Sequence, residues 1–172
     1  MYNTTIASPS DIPELLPIIN SAYRGEVSRQ GWTTEADFIA GDLRTDADDL
    51  ARLMALPGAV FLIARDAAGV IGGCVFLEKR GARLYLGMLS VPPQLQGHGI
   101  GKLLLQGAEL HARQTGCQAV FMRVISLRVE LIDWYVRHGY QNTGETEPFE
   151  SPEKFGVPVQ PLEFVILEKI LT

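Results

Sequence analysis

The sequence has few cysteines, no excess of positive charge and no long hydrophobic run. The two cysteines, Cys74 and Cys117, are too few and too poorly spaced for a disulfide framework or a zinc site, so we expect small buried side chains. No His, Cys and carboxylate spacing suggests a catalytic metal. The formal net charge of −5 argues against a general nucleic-acid surface, because phosphate backbones bind clustered Lys and Arg.

The lack of a membrane-spanning run and of a signal sequence indicates where the protein is located and which partners it has. No stretch approaches the roughly 20 apolar residues that are needed to cross a bilayer, and the N-terminus has no basic-then-apolar signal. We therefore expect a cytoplasmic protein without a membrane or nucleic-acid partner. The sequence leaves open a homodimer formed through an edge strand or the last strand.

The sequence contains enough apolar residues to form one hydrophobic core of the size found in enzymes. The chain has 172 residues, 47% of them hydrophobic, and no linker or repeat divides it, so we expect a single domain over residues 1–172. This domain is predicted to have an α/β fold with a mixed, mostly antiparallel central sheet flanked by helices. Hydrophobic periodicity predicts strands at residues 3–7, 60–63, 70–78, 84–91, 119–125, 140–146 and 162–171. It predicts helices at residues 12–23, 46–54, 99–114 and 127–138, and another capped by Thr33 or Thr34 with Glu35 and Asp37 in its first turn.

The segment at residues 84–105 combines a strand, a turn and the start of a helix. An apolar run ends at Val91, two prolines stop it, and a glycine-rich turn precedes an amphipathic pattern that begins at Ile100. Glycine has no Cβ atom, so a ligand can approach the backbone closely at these positions. The first N–H groups of a helix have no hydrogen-bond partners within the helix. Together with the positive end of the helix dipole, these donors predict a phosphate site.

The spacing within the turn disfavours the two commoner nucleotide motifs. A P-loop needs a Ser or Thr directly after its lysine, whereas this chain has Leu103 after Lys102. A dinucleotide fingerprint needs glycines spaced by two and then by three, whereas Gly97, Gly99 and Gly101 are spaced by two and two. ATP hydrolysis by Walker chemistry and NAD binding are therefore not expected.

The turn resembles the coenzyme A turn of the GNAT acetyltransferase superfamily, whose pattern is Gln or Arg, two residues, Gly, one residue, then Gly or Ala. Gln96, Gly99 and Gly101 fit this pattern, and residues 135–140 match the family's later Tyr-x-x-x-Gly-aromatic segment. The resemblance implies a GNAT-like fold and acetyl-CoA as cofactor, with its pyrophosphate against the backbone of the turn. Lys102 either assists a phosphate or solvates the helix. The cofactor contacts implied are Leu89, Ser90, Val91, Gln96, Gly97, His98, Gly99, Ile100, Gly101, Lys102 and Arg128.

The resemblance also implies a catalytic residue. In the family a tyrosine of the later segment often returns a proton to the leaving thiolate, and Tyr135 is the matching residue, unless it is only a core aromatic. Many members have asparagine where this chain has Arg128, which would instead reach a phosphate or a carboxylate, or be solvated. The strand before the turn holds no carboxylate, so a base is sought at Glu26, Glu78 or Glu130, through water, or is not needed.

Acceptor recognition is expected from the segment after the first helix and from the late proline-rich loop. Arg24 or Arg29 would hold an acceptor carboxylate, unless both are surface charges. The predicted function is acetyl-CoA-dependent transfer of an acetyl group, by direct attack, to a primary amine of a small molecule or peptide. The alternative is a catalytically silent CoA-binding sensor of the same fold. The candidate substrate residues are Tyr23, Arg24, Glu26, Trp32, Glu78 and Phe149.

Overall fold

The structure, a computed structural model, describes residues 1–172. Nine strands and five helices follow one another along the chain. The strands are β1 (Asn3–Ile6), β2 (Ile39–Ala40), β3 (Ala59–Arg65), β4 (Ile71–Arg80), β5 (Arg83–Ser90), β6 (Ala119–Ile125), β7 (Gln141–Pro148), β8 (Val157–Pro158) and β9 (Glu163–Ile170). The helices are α1 (Ile12–Tyr23), α2 (Gly25–Ser28), α3 (Ala47–Met54), α4 (Ile100–Gln114) and α5 (Val129–Arg137).

Seven strands form one sheet in the order β1-β3-β4-β5-β6-β9-β7, and β2 pairs with β8 in a separate two-stranded ribbon. Short turns join β3, β4 and β5 into an antiparallel meander, as expected for consecutive strands with short connections. The single parallel pair in the large sheet is β5 with β6, because α4 crosses over between them. The prediction of a mixed, mostly antiparallel sheet flanked by helices is therefore confirmed.

The parallel pair β5–β6 separates soon after it forms. Only residues 83–85 of β5 pair with residues 119–121 of β6, and the rest of β5 has no partner on that side. Within the same stretch Met88 has a positive φ of 52°, and the pairing with β4 shifts register between Cys74 and Phe76. Such an irregularity bends a strand away from its neighbour. The result is an opening in the sheet just before the glycine-rich turn.

Helices cover both faces of the sheet. On one face α4 packs against β3, β4 and β5 through an apolar side that includes Leu104 and Ala108, both fully buried. On the other face α1 and α3 pack through Leu15, Ile19 and Leu50. Both cysteines are free and buried, as expected. None of the helices combines the length and the apolar character that crossing a membrane would need.

The predicted helix after Thr34 is wrong. Residues 29–46 run as turns and a two-residue strand, with no helix between α2 and α3. The side chain of Glu35 points inward, where it forms ion pairs with Arg24 and Arg128. Without this carboxylate two buried arginines would have no counterion, which costs about 3–5 kcal/mol, whereas the dipole preference is worth about 0.3–1 kcal/mol. These long-range contacts therefore decide the conformation.

Candidate active site

A cavity of about 500 Å³ lies between the glycine-rich turn and α5, and we call it the turn cavity. The apolar walls come from the end of β5 and from α5, including Leu89, Val91 and Trp134. The turn itself forms the polar side. Its remaining edge is closed by residues 30–33 of the segment that follows α2.

The polar side of the turn cavity consists of backbone N–H groups. The first intrahelical bond of α4 is donated by the Leu103 N–H to the Gly99 carbonyl at 3.0 Å, and the N–H groups of residues 97–102 donate no hydrogen bond within the protein. Gly97 (φ 83°) and Gly99 (φ 82°) hold the left-handed conformation that gives the turn this shape. Free donors at a helix N-terminus bind anions.

The charged side chains of the turn cavity have the same sign. Lys102 and Arg128 line it, and no carboxylate does, although the whole chain has a formal net charge of −5. The cavity therefore suits a ligand with an anionic group at the turn and an uncharged part along the apolar walls.

Most of the predicted cofactor contacts lie around this cavity. Two do not line it with their side chains. Ser90 is fully buried and its hydroxyl donates to the Met88 carbonyl at 2.8 Å. The ring of His98 is exposed and its Nδ1 lies 3.1 Å from the Leu95 carbonyl. The predicted residues that line the cavity are Leu89, Val91, Gln96, Gly97, Gly99, Ile100, Gly101, Lys102 and Arg128.

Gln96, the first residue of the turn pattern, connects the turn to the segment after α2. Its Nε2 donates to the Val91 carbonyl at 2.9 Å, and its Oε1 accepts from the Trp32 backbone N–H at 2.9 Å. Trp32 itself is 48% exposed at the edge of the cavity, with its ring 6.4 Å from that of Trp134. One side chain therefore fixes the edge of the turn cavity.

Replacing Gln96 with alanine is expected to lower the free energy of unfolding by about 1–2 kcal/mol, because one partly buried and one exposed hydrogen bond are lost. Urea denaturation of the purified protein measures the change. Gln94→Ala is the matched control, since Gln94 is exposed on the same turn and its side chain forms no hydrogen bond. Equal unfolding midpoints for the two variants would contradict the proposed connection.

A second cavity, of about 450 Å³, lies where β4, β5 and β6 face the segment after α1 and the late loop, and we call it the sheet cavity. It meets the turn cavity at the opening between β5 and β6. The residues that line both cavities are Tyr23, Leu89, Arg128, Leu131 and Tyr135.

Tyr135 stands in this shared wall. The ring packs edge-on against Trp134 at 5.0 Å and Tyr140 at 5.7 Å, and the residue is 4% exposed. The Tyr135 hydroxyl has no hydrogen-bond partner within the protein. Burial raises the pKa of Tyr135 above its ordinary value of 10.0, so the phenol keeps its proton at neutral pH. Burial also raises the pKa of Tyr23, to about 12.

Beside these tyrosines a single carboxylate serves two buried arginines. Glu35 lies 3.0 Å from Arg24 and 3.1 Å from Arg128, which are 3% and 4% exposed. Arg24 also donates to the carbonyls of Leu43 and Phe155. Arg128 donates to the Thr33 hydroxyl at 3.0 Å, but its Nε has no hydrogen-bond partner and is the one buried side-chain nitrogen or oxygen in that state.

The candidate substrate residues are divided between the two cavities. Tyr23, Arg24, Glu78 and Phe149 line the sheet cavity, whereas Trp32 lines only the turn cavity. Because Arg24 is buried against Glu35, it is not free to hold an acceptor carboxylate.

Three other charged candidates lie outside both cavities. Glu26 is exposed and ion-paired with Arg29, which also pairs with Asp37 at the surface. Glu130 is exposed and accepts from the Thr33 hydroxyl at 2.8 Å. Glu26, Arg29 and Glu130 each have a partner at the surface, which is consistent with their positions outside the cavities. Among the three predicted bases, Glu78 is the one that lines a cavity, and it is paired with Arg80 at 2.8 Å.

Sequence reasoning missed several residues of the sheet cavity, among them Arg44, Tyr85 and Arg123. One signal was available. Arg123 is a lone charge within the apolar strand β6, and a charged residue there must either reach the surface or serve a site. Nothing local distinguishes Arg44, which reaches the cavity only because the segment after α1 folds over the sheet.

Comparisons with known proteins agree with this geometry. The family model described as an acetyltransferase (GNAT) domain matches residues 57–142, half of the chain. Acetyltransferase Atu2258 of Agrobacterium fabrum is 34% identical over 89 residues, which are 52% of this chain and 63%, less than two thirds, of that relative. The uncharacterized N-acetyltransferase YjhQ of Escherichia coli is 30% identical over 160 residues, covering 87% of this chain and 77% of the relative.

Solved structures show the same fold. The PaiA N-acetyltransferase of Thermoplasma acidophilum, determined in complex with coenzyme A, gives a TM-score of 0.73 at 18% sequence identity and covers 99% of both chains. The range that the family model matches holds the turn and Tyr135. Arg44 and Phe149 of the sheet cavity lie on either side of it.

Proposed function

The chain belongs to the GNAT acetyltransferase family, whose enzymes use acetyl-CoA, and we propose that it transfers the acetyl group to a primary amine of a small molecule or peptide by direct attack. The observation that carries the proposal is the meeting of two cavities at Tyr135. The turn cavity would hold the acetyl donor and the sheet cavity the acceptor. Reaction would take place where they join, between β5 and β6.

The residues of the turn cavity fit acetyl-CoA. Its pyrophosphate would accept hydrogen bonds from the free N–H groups of residues 97–102, with Lys102 adding positive charge. Leu89, Val91 and Trp134 would contact the uncharged arm of the cofactor, and this apolar path leads to the shared wall. Bound acetyl-CoA supplies a thioester at that wall, with an acyl carbon open to attack and a sulfur that can leave.

Tyr135 is proposed as the general acid. Its hydroxyl keeps its proton because burial raises the pKa, and it has no protein partner to compete for the hydrogen bond. The phenolic O–H would first donate a hydrogen bond and then its proton to the leaving sulfur, and the proton that the attacking nitrogen loses as the amide forms would return to the tyrosinate through water and regenerate the phenol. Glu78 is committed to an ion pair with Arg80, so the proposal uses an amine that enters uncharged rather than a protein base.

Replacing Gly99 with alanine is expected to raise the Kd for acetyl-CoA by about 10- to 100-fold. A Cβ at this position meets no protein atom within 4 Å, so it would occupy the space next to the free N–H groups and disturb charge-assisted hydrogen bonds. Calorimetric titration with acetyl-CoA measures the change.

The matched control is Gly69→Ala, in the turn between β3 and β4. Gly69 has nearly the same φ (83° against 82°) and equally open surroundings, so both variants carry the same backbone strain of about 1–2 kcal/mol. Only the Gly99 variant should lose affinity. Equal affinities for the two variants would refute the cofactor position.

A further inference from the structure

Arginine dominates the charge of the sheet cavity. Six arginines line it against four carboxylates. Asp49 and Glu78 are each paired with one arginine at 2.8 Å, while Glu35 is shared by two. The fourth carboxylate, Glu150, is exposed and belongs to no ion pair. The cavity therefore carries excess positive charge within an acidic protein.

Arg44 is the arginine of this cavity that lacks a carboxylate partner. The others, at positions 24, 52, 80, 123 and 128, all take part in ion pairs. The Arg44 guanidinium lies 5.5 Å from the centroid of the Tyr23 ring. Its backbone is fixed, because the Arg44 N–H donates to Asn20 Oδ1 at 2.7 Å. A positioned, partly buried and unmatched cation is a binding group for an anion.

Arg128 supplies a second and independent indication. This arginine is 4% exposed, and its Nε–H is buried without any acceptor. Leaving a charged donor unsatisfied costs about 1–3 kcal/mol or more, so such a group is normally completed by a water, an ion or a ligand. Arg128 lines both cavities, so its positive charge lies where the two cavities meet.

The remaining wall of the sheet cavity is aromatic. Phe76, Tyr85, Phe149, Phe155 and Phe164 line it, and the rings of Phe149 and Phe164 pack at a tilt of 42° with 5.3 Å between their centroids. Aromatic rings favour binding of an apolar group of the ligand. They could stabilise a cationic ligand only through cation–π contacts, and the arginines of the cavity already occupy those positions. A polyamine or an aminoglycoside would therefore meet arginines where it needs carboxylates.

We propose that the acceptor is an amine that also carries a carboxylate: an amino acid with an apolar side chain, whose carboxylate pairs with Arg44. The excess positive charge of the cavity, to which Arg128 contributes, attracts the same carboxylate. The apolar side chain lies against the aromatic wall. This inference rests on the proposed function, because it names the molecule that the same site acetylates.

The test compares L-leucine, L-methionine and L-phenylalanine with their amides as acceptors, by following the thiol released from acetyl-CoA. Rates are expressed per neutral amine, because loss of the carboxylate changes the pKa of the amine. The acids should exceed the amides in kcat/KM by about 10-fold or more. Arg44→Met should remove this preference by raising KM for the acids about 10- to 100-fold, with kcat little changed. Arg52→Met removes the same formal charge, but one that Asp49 already neutralises, so its effect should be several-fold smaller.

A second measurement separates this inference from the proposed function. Calorimetry follows binding of the same amino acids to the protein saturated with CoA, where no transfer can occur. Binding that depends on Arg44, without turnover of any amine, would support the acceptor class and overturn the proposed function. Turnover in which amides match or exceed the acids would overturn the acceptor class and leave the proposed function standing. Absence of both binding and turnover of the acids would overturn the acceptor class.

Discussion

Replacing Tyr135 with phenylalanine is expected to lower kcat by about 10²- to 10⁴-fold, the usual contribution of a positioned general acid. The ring contacts with Trp134 and Tyr140 remain, because only the hydroxyl is removed. The KM for acetyl-CoA should change little, since the proposed role concerns the leaving sulfur rather than binding of the cofactor. Steady-state kinetics with acetyl-CoA varied at a saturating concentration of the acceptor amine measure both quantities.

Tyr140→Phe is the matched control for Tyr135→Phe. The Tyr140 hydroxyl donates to Glu109 at 3.2 Å and lines neither cavity, so this variant should lose some stability and keep kcat. The pH profile gives a further check. Because burial raises the pKa of Tyr135 above 10.0, deprotonation of this residue should impose no descending limb on kcat below pH 10. Full activity of the Tyr135 variant would remove the residue from the mechanism.

Replacing Glu35 with glutamine is expected to lower the free energy of unfolding by about 3–5 kcal/mol. Arg24 and Arg128 would then share no counterion although both are almost fully buried, and uncompensated buried charge is among the costliest defects in a fold. Burial already lowers the pKa of Arg24, with the charge of Glu35 opposing that shift. Chemical denaturation followed by tryptophan fluorescence measures the change.

Glu130→Gln serves as the control for Glu35→Gln. Glu130 accepts a hydrogen bond from Thr33, which lies in the same segment after α2 as Glu35. Glu130 is exposed, however, so loss of its charge should cost less than about 1 kcal/mol. The double variant Arg24→Met/Glu35→Gln should be less destabilised than the sum of the single changes, because one of the two stranded charges is gone. Equal destabilisation by Glu35→Gln and Glu130→Gln would contradict the role of the buried pairs.

The fold could be predicted from sequence wherever local chemistry sets it. Prolines and glycines mark the end of β5 and the start of α4, and the 3.6-residue period gives α1 its bounds at residues 12–23. The sequence also predicts the meander of β3, β4 and β5, because short polar turns leave adjacent strands little choice but to pair.

The predictions failed where distant residues decide the structure. Glu35 takes its conformation from Arg24, 11 residues earlier, and from Arg128, 93 residues later, and no local pattern carries that information. Several residues of the sheet cavity were missed for the same reason. Arg44 comes from a loop with no periodicity, and Arg123 comes from a strand that β5 meets over only three residue pairs.

The shared wall has a consequence for how such a protein diverges. Only five residues line both cavities, so most substitutions in the sheet cavity leave the turn cavity untouched. Several of its residues, such as Arg44 and Phe149, also lie outside the range that the family model matches. A lineage can therefore reshape the sheet cavity by altering flanking loops, while selection keeps the turn cavity unchanged.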